Sequence, residues 1–458
     1  MPLPHPRRFP HGLGKGSCYT PEFRASPSPT EWERGSGGEG RTRLRYAGLS
    51  ALGHLRICDF TGQLAGAGAT RFLAAFGAQI IRVEDPTNQG RWDILRGSPP
   101  FKDERRGINL GGAFNNHNAG KLGVTLNLRT EEGRALLRRL VAVSDAVTEN
   151  FAAGVFARLG FGYEALRAIR PDIVYVSNCG FGQDGPYRSF KTWGPSVQAV
   201  SGLTFSSGLP GREPAGWGYS YMDHTGAYYM AIALLAALYH RDLTGEGQWV
   251  DLATTEAALT LAGPALLDYT VNQRPLRREG MPSSNRSQHP RMAPHGIFPG
   301  LHADTWVAIA CRDDTDWHAA AATIDEAWAR DERFATLAGR LSSEDELEGR
   351  LSGWTRASRP AETAATLQAA GVPAAEVATP LQRIDEDPDT NAWGLWPVAT
   401  HTEMGDVRVD GLPVHLSESD WSITRGAPCL GEHNAQVYGE LLGVSSAEQA
   451  RLHEAGVI

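Results

Sequence analysis

Several short stretches of this chain carry side chains that could do chemistry. Thr61-Gly62-Gln63-Leu64-Ala65-Gly66-Ala67-Gly68 is a small-residue turn, and its glycines would let backbone amides approach a pyrophosphate at a helix start. A GxGxxG pattern read from Gly62 needs glycine at 64 and 67, where Leu64 and Ala67 stand, which argues against a nicotinamide site. Lys121 ends His117-Asn118-Ala119-Gly120-Lys121, where it could present a point charge to a phosphate or simply be solvated in a turn. Glu149-Asn150-Phe151 and Cys179 both fall at the ends of expected strands, where groups facing a ligand crevice sit. Cys179 has no nearby histidine in sequence, so it reads as a small buried residue rather than a nucleophile. Asp223-His224 precedes a long apolar helix, where the aspartate either caps the helix or orients a ligand. His289 and His295 lack the spacing of a metal site.

The composition narrows the classes. The chain has 458 residues, 41% hydrophobic and 21% charged, which fits a soluble globular protein of more than one domain. With 44 basic against 52 acidic side chains the net charge is −8, so no basic excess exists for nucleic acid. Five cysteines without a CxxC pair signal neither a disulfide framework nor zinc, and point to a reducing, cytoplasmic setting. The apolar run from Ala227 to Tyr239 is too short to cross a membrane.

The elements that must position those residues follow from periodicity. Residues 1–49 are rich in Pro, Arg, Gly and Ser and are expected to be disordered, or to reflect an over-long start assignment. From His54 onward, strands at 54–60, 79–84, 124–128, 146–151 and 172–177 alternate with helices, which predicts a doubly wound parallel sheet with its ligand at the strand carboxyl ends. A helix over 225–240 stops at Thr244-Gly245-Glu246-Gly247, and a strand at 248–252 follows. Residues 282–294 read as a linker or a loop over a site. A strand at 306–310, Ala/Glu/Leu-rich helices to about 370 and a β-rich tail around 407–416 form a smaller α+β part. The expected division is 1–49, a Rossmann-like domain over 50–280, a small domain over 281–410, and 411–458 returning to the large domain.

In this order along the chain, Ile57-Cys58-Asp59-Phe60, Asn118-Ala119-Gly120-Lys121-Leu122-Gly123-Val124-Thr125-Leu126, Glu149-Asn150-Phe151 with Arg158-Leu159-Gly160-Phe161-Gly162-Tyr163, Gly180-Phe181-Gly182-Gln183-Asp184-Gly185-Pro186-Tyr187 and Pro428-Cys429-Leu430-Gly431-Glu432-His433 resemble the family III CoA-transferases. The similarity covers about 55–458. It implies two elongated subunits threaded through each other as an interlocked dimer. It also implies a coenzyme A thioester as substrate, with no permanently bound cofactor, and a carboxylic acid as the second substrate. Neither a nucleic acid nor a membrane partner is expected. In such enzymes a carboxylate attacks the donor thioester and forms covalent intermediates.

The same resemblance places that carboxylate at position 211, within Ser207-Gly208-Leu209-Pro210-Gly211-Arg212-Glu213-Pro214, where this chain has glycine. One expectation is therefore an aspartate-lacking subunit of a heteromer, similar to the succinyl-CoA:(R)-benzylsuccinate type, with a paralogous partner supplying the acid. Another is a stand-alone enzyme using Glu213, with Asp223 and Glu256 as further carboxylates; a third is a non-catalytic acyl-CoA-binding protein. Racemase chemistry is disfavoured, because the histidine-aspartate pair it implies falls on Trp193 and Gly194. The CoA contacts that carry over are Ala65, Lys121, Asn150, Phe151 and Arg158. A family arginine falls on Asp85, with Arg82 as the expected substitute. A glycine-rich covering loop is replaced by 282–292, and Trp217, Tyr219 and Tyr221 suggest an aromatic wall for a bulkier acyl group.

Overall fold

A computed structural model describes residues 50–209, 211–279 and 281–458. The expectation of disorder over 1–49 lies outside the described residues. Six parallel strands, β1 (Arg56–Phe60), β2 (Gln79–Glu84), β3 (Leu122–Thr125), β4 (Ala146–Glu149), β5 (Val174–Cys179) and β6 (Trp249–Ala253), form one sheet in the order β3-β2-β1-β4-β5-β6. β1 to β4 are buried almost throughout, as strands covered by helices on both faces must be. The order in which strands are added reverses between β1 and β4, which opens a crevice at their carboxyl ends.

Local sequence accounts for the crossovers. α1 (Ala67–Ala75) and α2 (Gly112–Asn118) follow β1 and β2, and α3 (Glu131–Ala142) starts where the Thr130 hydroxyl accepts the Gly133 amide, with Glu131 and Glu132 in its first turn. α4 (Tyr163–Ile169), α5 (Gly194–Val200) and α6 (Leu203–Ser206) lead to α7 (Tyr221–Thr244), which ends at Gly245 with φ 75°, a left-handed cap. The expected start at 225 is thus too late: Asp223 lies in the first turn of α7. α8 (Thr254–Leu261) and α9 (Gly263–Asn272) complete this part.

A second apolar core, built on Phe298, Val307, Trp317, Phe334, Leu351 and Leu367, belongs to the antiparallel sheet β7 (His295–Pro299), β8 (Trp306–Ala310) and β9 (Ala374–Glu376). Helices α10 (Asp314–Ile324), α11 (Leu337–Ser342), α12 (Glu344–Thr355) and α13 (Pro360–Ala369) accompany it. After α14 (Pro388–Trp393), the expected β-rich tail at 407–416 is instead a hairpin of β10 (Val398–His401) and β11 (Gly405–Arg408). From the hairpin on, the chain lies against the parallel-sheet body: Ala399, Val409 and Ile423 share a core with Phe76 and Ala119, and the Tyr438 hydroxyl donates to the Thr125 carbonyl at 2.7 Å. α15 (Ser446–Glu454) closes the chain. Among the described residues, no helix is long and apolar enough to cross a membrane.

Candidate active site

The turn after β1 is tied down by groups from distant strands. Asn150, just beyond β4, accepts the Gly62 amide at 2.8 Å and donates to the Gly62 carbonyl at 3.0 Å, clamping the turn across the crevice. Gly66 is required here, since a Cβ would lie 2.8 Å from Asn150 Cγ. Ala65 is half-buried beside it, its carbonyl facing Asn178 at 3.5 Å.

Phe151 packs its ring 5.1 Å from Trp92 and joins Phe60, Val83, Leu126 and Leu159 around a cavity of about 230 Å³ at the carboxyl ends of β1 to β4. Its aromatic and aliphatic walls suit a flat ring. Arg129, which the sequence reading missed, lines this cavity from just beyond β3 and is exposed to solvent. Its signal was available: a cation in the loop that follows a parallel strand. Arg158 is also exposed, in the turn between the cavity residues Val155 and Leu159. Asp85 lines the cavity too and caps a turn by accepting the Thr87 amide at 2.8 Å.

Two of the expected CoA contacts are buried. Arg82 has no exposed surface: it pairs with Asp93 at 2.7 Å, donates to Asn118 at 3.1 Å and lies 4.9 Å from the Phe114 ring centroid. Lys121 is equally sealed, with Nζ 3.2 Å from Asp59, 2.7 Å from Thr70 Oγ1 and 3.1 Å from the Ala67 carbonyl. Burial pushes the Lys121 ammonium down to about 8, against the raising pull of Asp59. All three Lys121 contacts are internal, and Arg82 keeps only a buried Nε without an acceptor, so both side chains hold the crevice loops together.

The carboxylates separate as clearly. Gly211 lies at φ 69° with nothing within 4 Å of a hypothetical Cβ, and Glu213 is exposed in the same loop. Glu256 is exposed on α8. Both acids would meet a thioester fully hydrated. Asp223 is half-buried at the start of α7, with its carboxylate set against the Gly194 amide and the Ser220 side chain. Burial pushes it up to about 6 from an ordinary 3.8, with those two groups pulling the other way. A partly desolvated carboxylate, ionised at neutral pH, is suited to nucleophilic or proton-transfer work. The residue pair that excludes a histidine-aspartate dyad serves this arrangement, because the carboxylate lies where a side chain at 194 would be. A Cβ there would fall 2.8 Å from Asp223 Oδ2 and 2.9 Å from Ser220 Cβ. Gly194→Ala should therefore displace the carboxylate and lower kcat by about 100-fold, with Tm falling only slightly, as steady-state kinetics and thermal melts would read.

Trp217, Tyr219 and Tyr221 are exposed in the stretch that leads to Asp223, with Trp217 and Tyr221 edge-on at 5.0 Å. Cys179 stays inert: burial first, then Asp251 and Glu149, push its thiol up to about 12. His295 Nδ1 donates to the Asn285 carbonyl, 2.6 Å away, and no three His, Cys, Asp or Glu side chains gather as a metal site among the described residues.

Comparison with known proteins bears on this geometry. The model of CoA-transferase family III matches residues 52–434. A succinate–glutarate CoA-transferase of Agrobacterium fabrum is 33% identical over 397 residues, covering 85% of this chain and 95% of that protein. A succinyl-CoA–D-citramalate CoA-transferase of Chloroflexus aurantiacus is 30% identical over 408 residues, 89% of this chain and 98% of that one. Among solved structures, a CAIB/BAIF family protein from Brucella suis superposes with TM-score 0.77 at 31% identity, covering 86% of this chain and 99% of that chain.

Proposed function

This chain belongs to CoA-transferase family III, and from that membership we propose that it moves CoA between an acyl-CoA such as succinyl-CoA and a carboxylic acid, with its own Asp223 as the attacking group. The class is that of an enzyme whose substrates are CoA thioesters. One observation carries the residue assignment: Asp223 is a half-buried carboxylate packed against Gly194 and Ser220, where burial pushes it up to about 6.

The steps balance as follows. An Asp223 oxygen attacks the donor thioester carbonyl and expels the CoA thiolate, leaving a mixed anhydride. The thiolate attacks the Asp223 carbonyl and releases the donor as a free carboxylate, leaving an aspartyl thioester. The acceptor carboxylate then attacks that aspartyl carbonyl, and the thiolate attacks the acceptor carbonyl of the new anhydride, regenerating Asp223. The adenine ring of CoA occupies the cavity walled by Phe151 and Trp92, with Arg129 and Arg158 at its exposed edge for phosphates.

On this reading Gly211 is a turn residue, and the helper-subunit expectation loses its premise, since the chain carries its own acid. A second copy is needed for another reason. α7 and α9 leave large apolar side chains uncovered, including Ile232 at 64%, Tyr239 at 67%, Leu267 at 62% and Val271 at 74% exposure. That surface supports the interlocked homodimer. The unpaired Cys58, Cys179, Cys311 and Cys429 suit a reducing cytoplasm.

The purified chain alone, supplied with succinyl-CoA and glutarate, is expected to run as a dimer in light scattering and to form glutaryl-CoA, with Glu213→Gln within about twofold of the parent because an exposed side chain makes no fixed contact. Transfer that begins only when an aspartate-bearing paralogue is added would return the assignment to the helper subunit.

A further inference from the structure

Among the described residues, one buried cation has no ion-pair partner. Arg71 projects from α1 with 8% of its surface exposed, yet its Nε and Nη2 are shut off from solvent without a hydrogen-bond acceptor. The other buried arginines each hold an acid, Arg82 Nε alone among their atoms lacking an acceptor: Arg82 pairs with Asp93, Arg96 with Glu84, Arg241 with Asp145 and Arg340 with Asp314 and the Phe334 carbonyl. Burial lowers the Arg71 pKa first, with Asp410 and Tyr228 offsetting it. Asp410 does not close the gap. It is exposed, held by the Asn116 amide at 2.6 Å, and makes no ion pair with Arg71. A buried guanidinium left uncompensated is costly, and such a group is retained where something else completes it.

The surroundings point the same way. His224 Nε2 is likewise buried and unpartnered. Its ring stacks on Tyr219 at 5.3 Å and lies 5.7 Å from the ring of His117, whose Nδ1 is fixed by the Ala113 carbonyl at 2.9 Å. Burial and the Arg71 charge hold both imidazoles below their ordinary pKa, His117 at about 4, so at neutral pH the cluster carries the single positive charge of Arg71. The cluster adjoins the attacking group: His224 follows Asp223 in the first turn of α7, and the Tyr219 phenol feels the charges of both Asp410 and Asp223.

We propose that Arg71, with His224 Nε2 beside it, receives the distal carboxylate of a short dicarboxylic acyl group whose thioester carbonyl meets Asp223. The inference rests on the function proposed above and names its substrate class. A planar guanidinium binds a carboxylate through two parallel hydrogen bonds and rejects a methyl group in its place, because the cation would stay buried and unpaired.

Succinyl-CoA and butyryl-CoA test this, having the same chain length but a carboxylate against a methyl at the far end. With glutarate as acceptor, the isolated chain should favour succinyl-CoA by about 100-fold or more in kcat/KM. Arg71→Met should lower kcat/KM for succinyl-CoA by about 100-fold and leave butyryl-CoA within about threefold, with Arg71→Lys recovering part of the loss. A parent that uses both donors equally, or an equal loss on both in Arg71→Met, overturns the proposal. If Arg71→Met does not fold, the parent's donor ratio decides alone. Failure of the underlying reading looks different: undiminished transfer in Asp223→Asn refutes the nucleophile, whereas transfer indifferent to the distal carboxylate refutes only the role of Arg71.

Discussion

Asp223→Asn should abolish transfer by the isolated chain, by roughly 10⁴-fold or more in kcat, while making the protein more stable at pH 8. The loss follows from chemistry, because an amide cannot open a thioester as a carboxylate does. The gain follows from linkage. Burial raises the folded-state pKa from 3.8 to about 6. Between those values the folded chain binds more protons than the unfolded one, so stability falls as pH rises through that window and is flat above it. At pH 8 the ionised carboxylate therefore costs up to about 3 kcal/mol, which asparagine does not incur, and Tm should rise by a few degrees. Glu149, pushed up to about 7 by burial, imposes its own fall with pH, but it is common to both proteins and cancels in the difference. The same carboxylate sets an acid limb in kcat/KM near pH 6, with activity falling about tenfold per pH unit below it. A variant that is both inactive and less stable at pH 8 would mark Asp223 as a structural cap.

Lys121→Met separates structure from ligand binding with an effect nearly as large. Asp59 accepts from Lys121, from Thr70 at 2.9 Å, from Thr148 at 2.9 Å and from the Thr61 amide at 3.0 Å. Burial raises the Asp59 pKa, but Lys121, Arg82 and Thr61 outweigh it and keep the carboxylate ionised. Removing the ammonium leaves a buried anion short of its nearest cation, at a cost of roughly 3–5 kcal/mol. Chemical denaturation should show that loss, with KM for succinyl-CoA in the folded protein within about twofold. A tenfold rise in KM at unchanged stability would instead place Lys121 on a CoA phosphate.

The contrast between these residues shows what a sequence can and cannot reveal here. The parallel sheet was legible because each strand is a short apolar run followed by a helix, and Asn150 and Phe151 because a strand's carboxyl end faces the crevice. Arg129 carried the same signal and was overlooked. Lys121 and Arg82 read as phosphate ligands because a cation near a glycine turn looks the same whether it faces solvent or Asp59 and Asp93. Asp223 was harder still. Its distinction comes from burial against Gly194, which reaches it only through the packing of α5 on α7, while a motif read along the chain pointed to Gly211, an open turn. Arg71 carried no signal at all, since an unpartnered guanidinium is visible only after the other buried arginines have found their acids.

The most direct test is to trap the covalent intermediate on the isolated chain. The protein is incubated with succinyl-CoA without acceptor and reduced with borohydride, which turns an aspartyl thioester into homoserine, and the digest is read by mass spectrometry. The prediction is a reduced residue at Asp223 and nowhere else. A reduced side chain at Glu213, or an unmodified chain that gains activity from a second subunit, would contradict it.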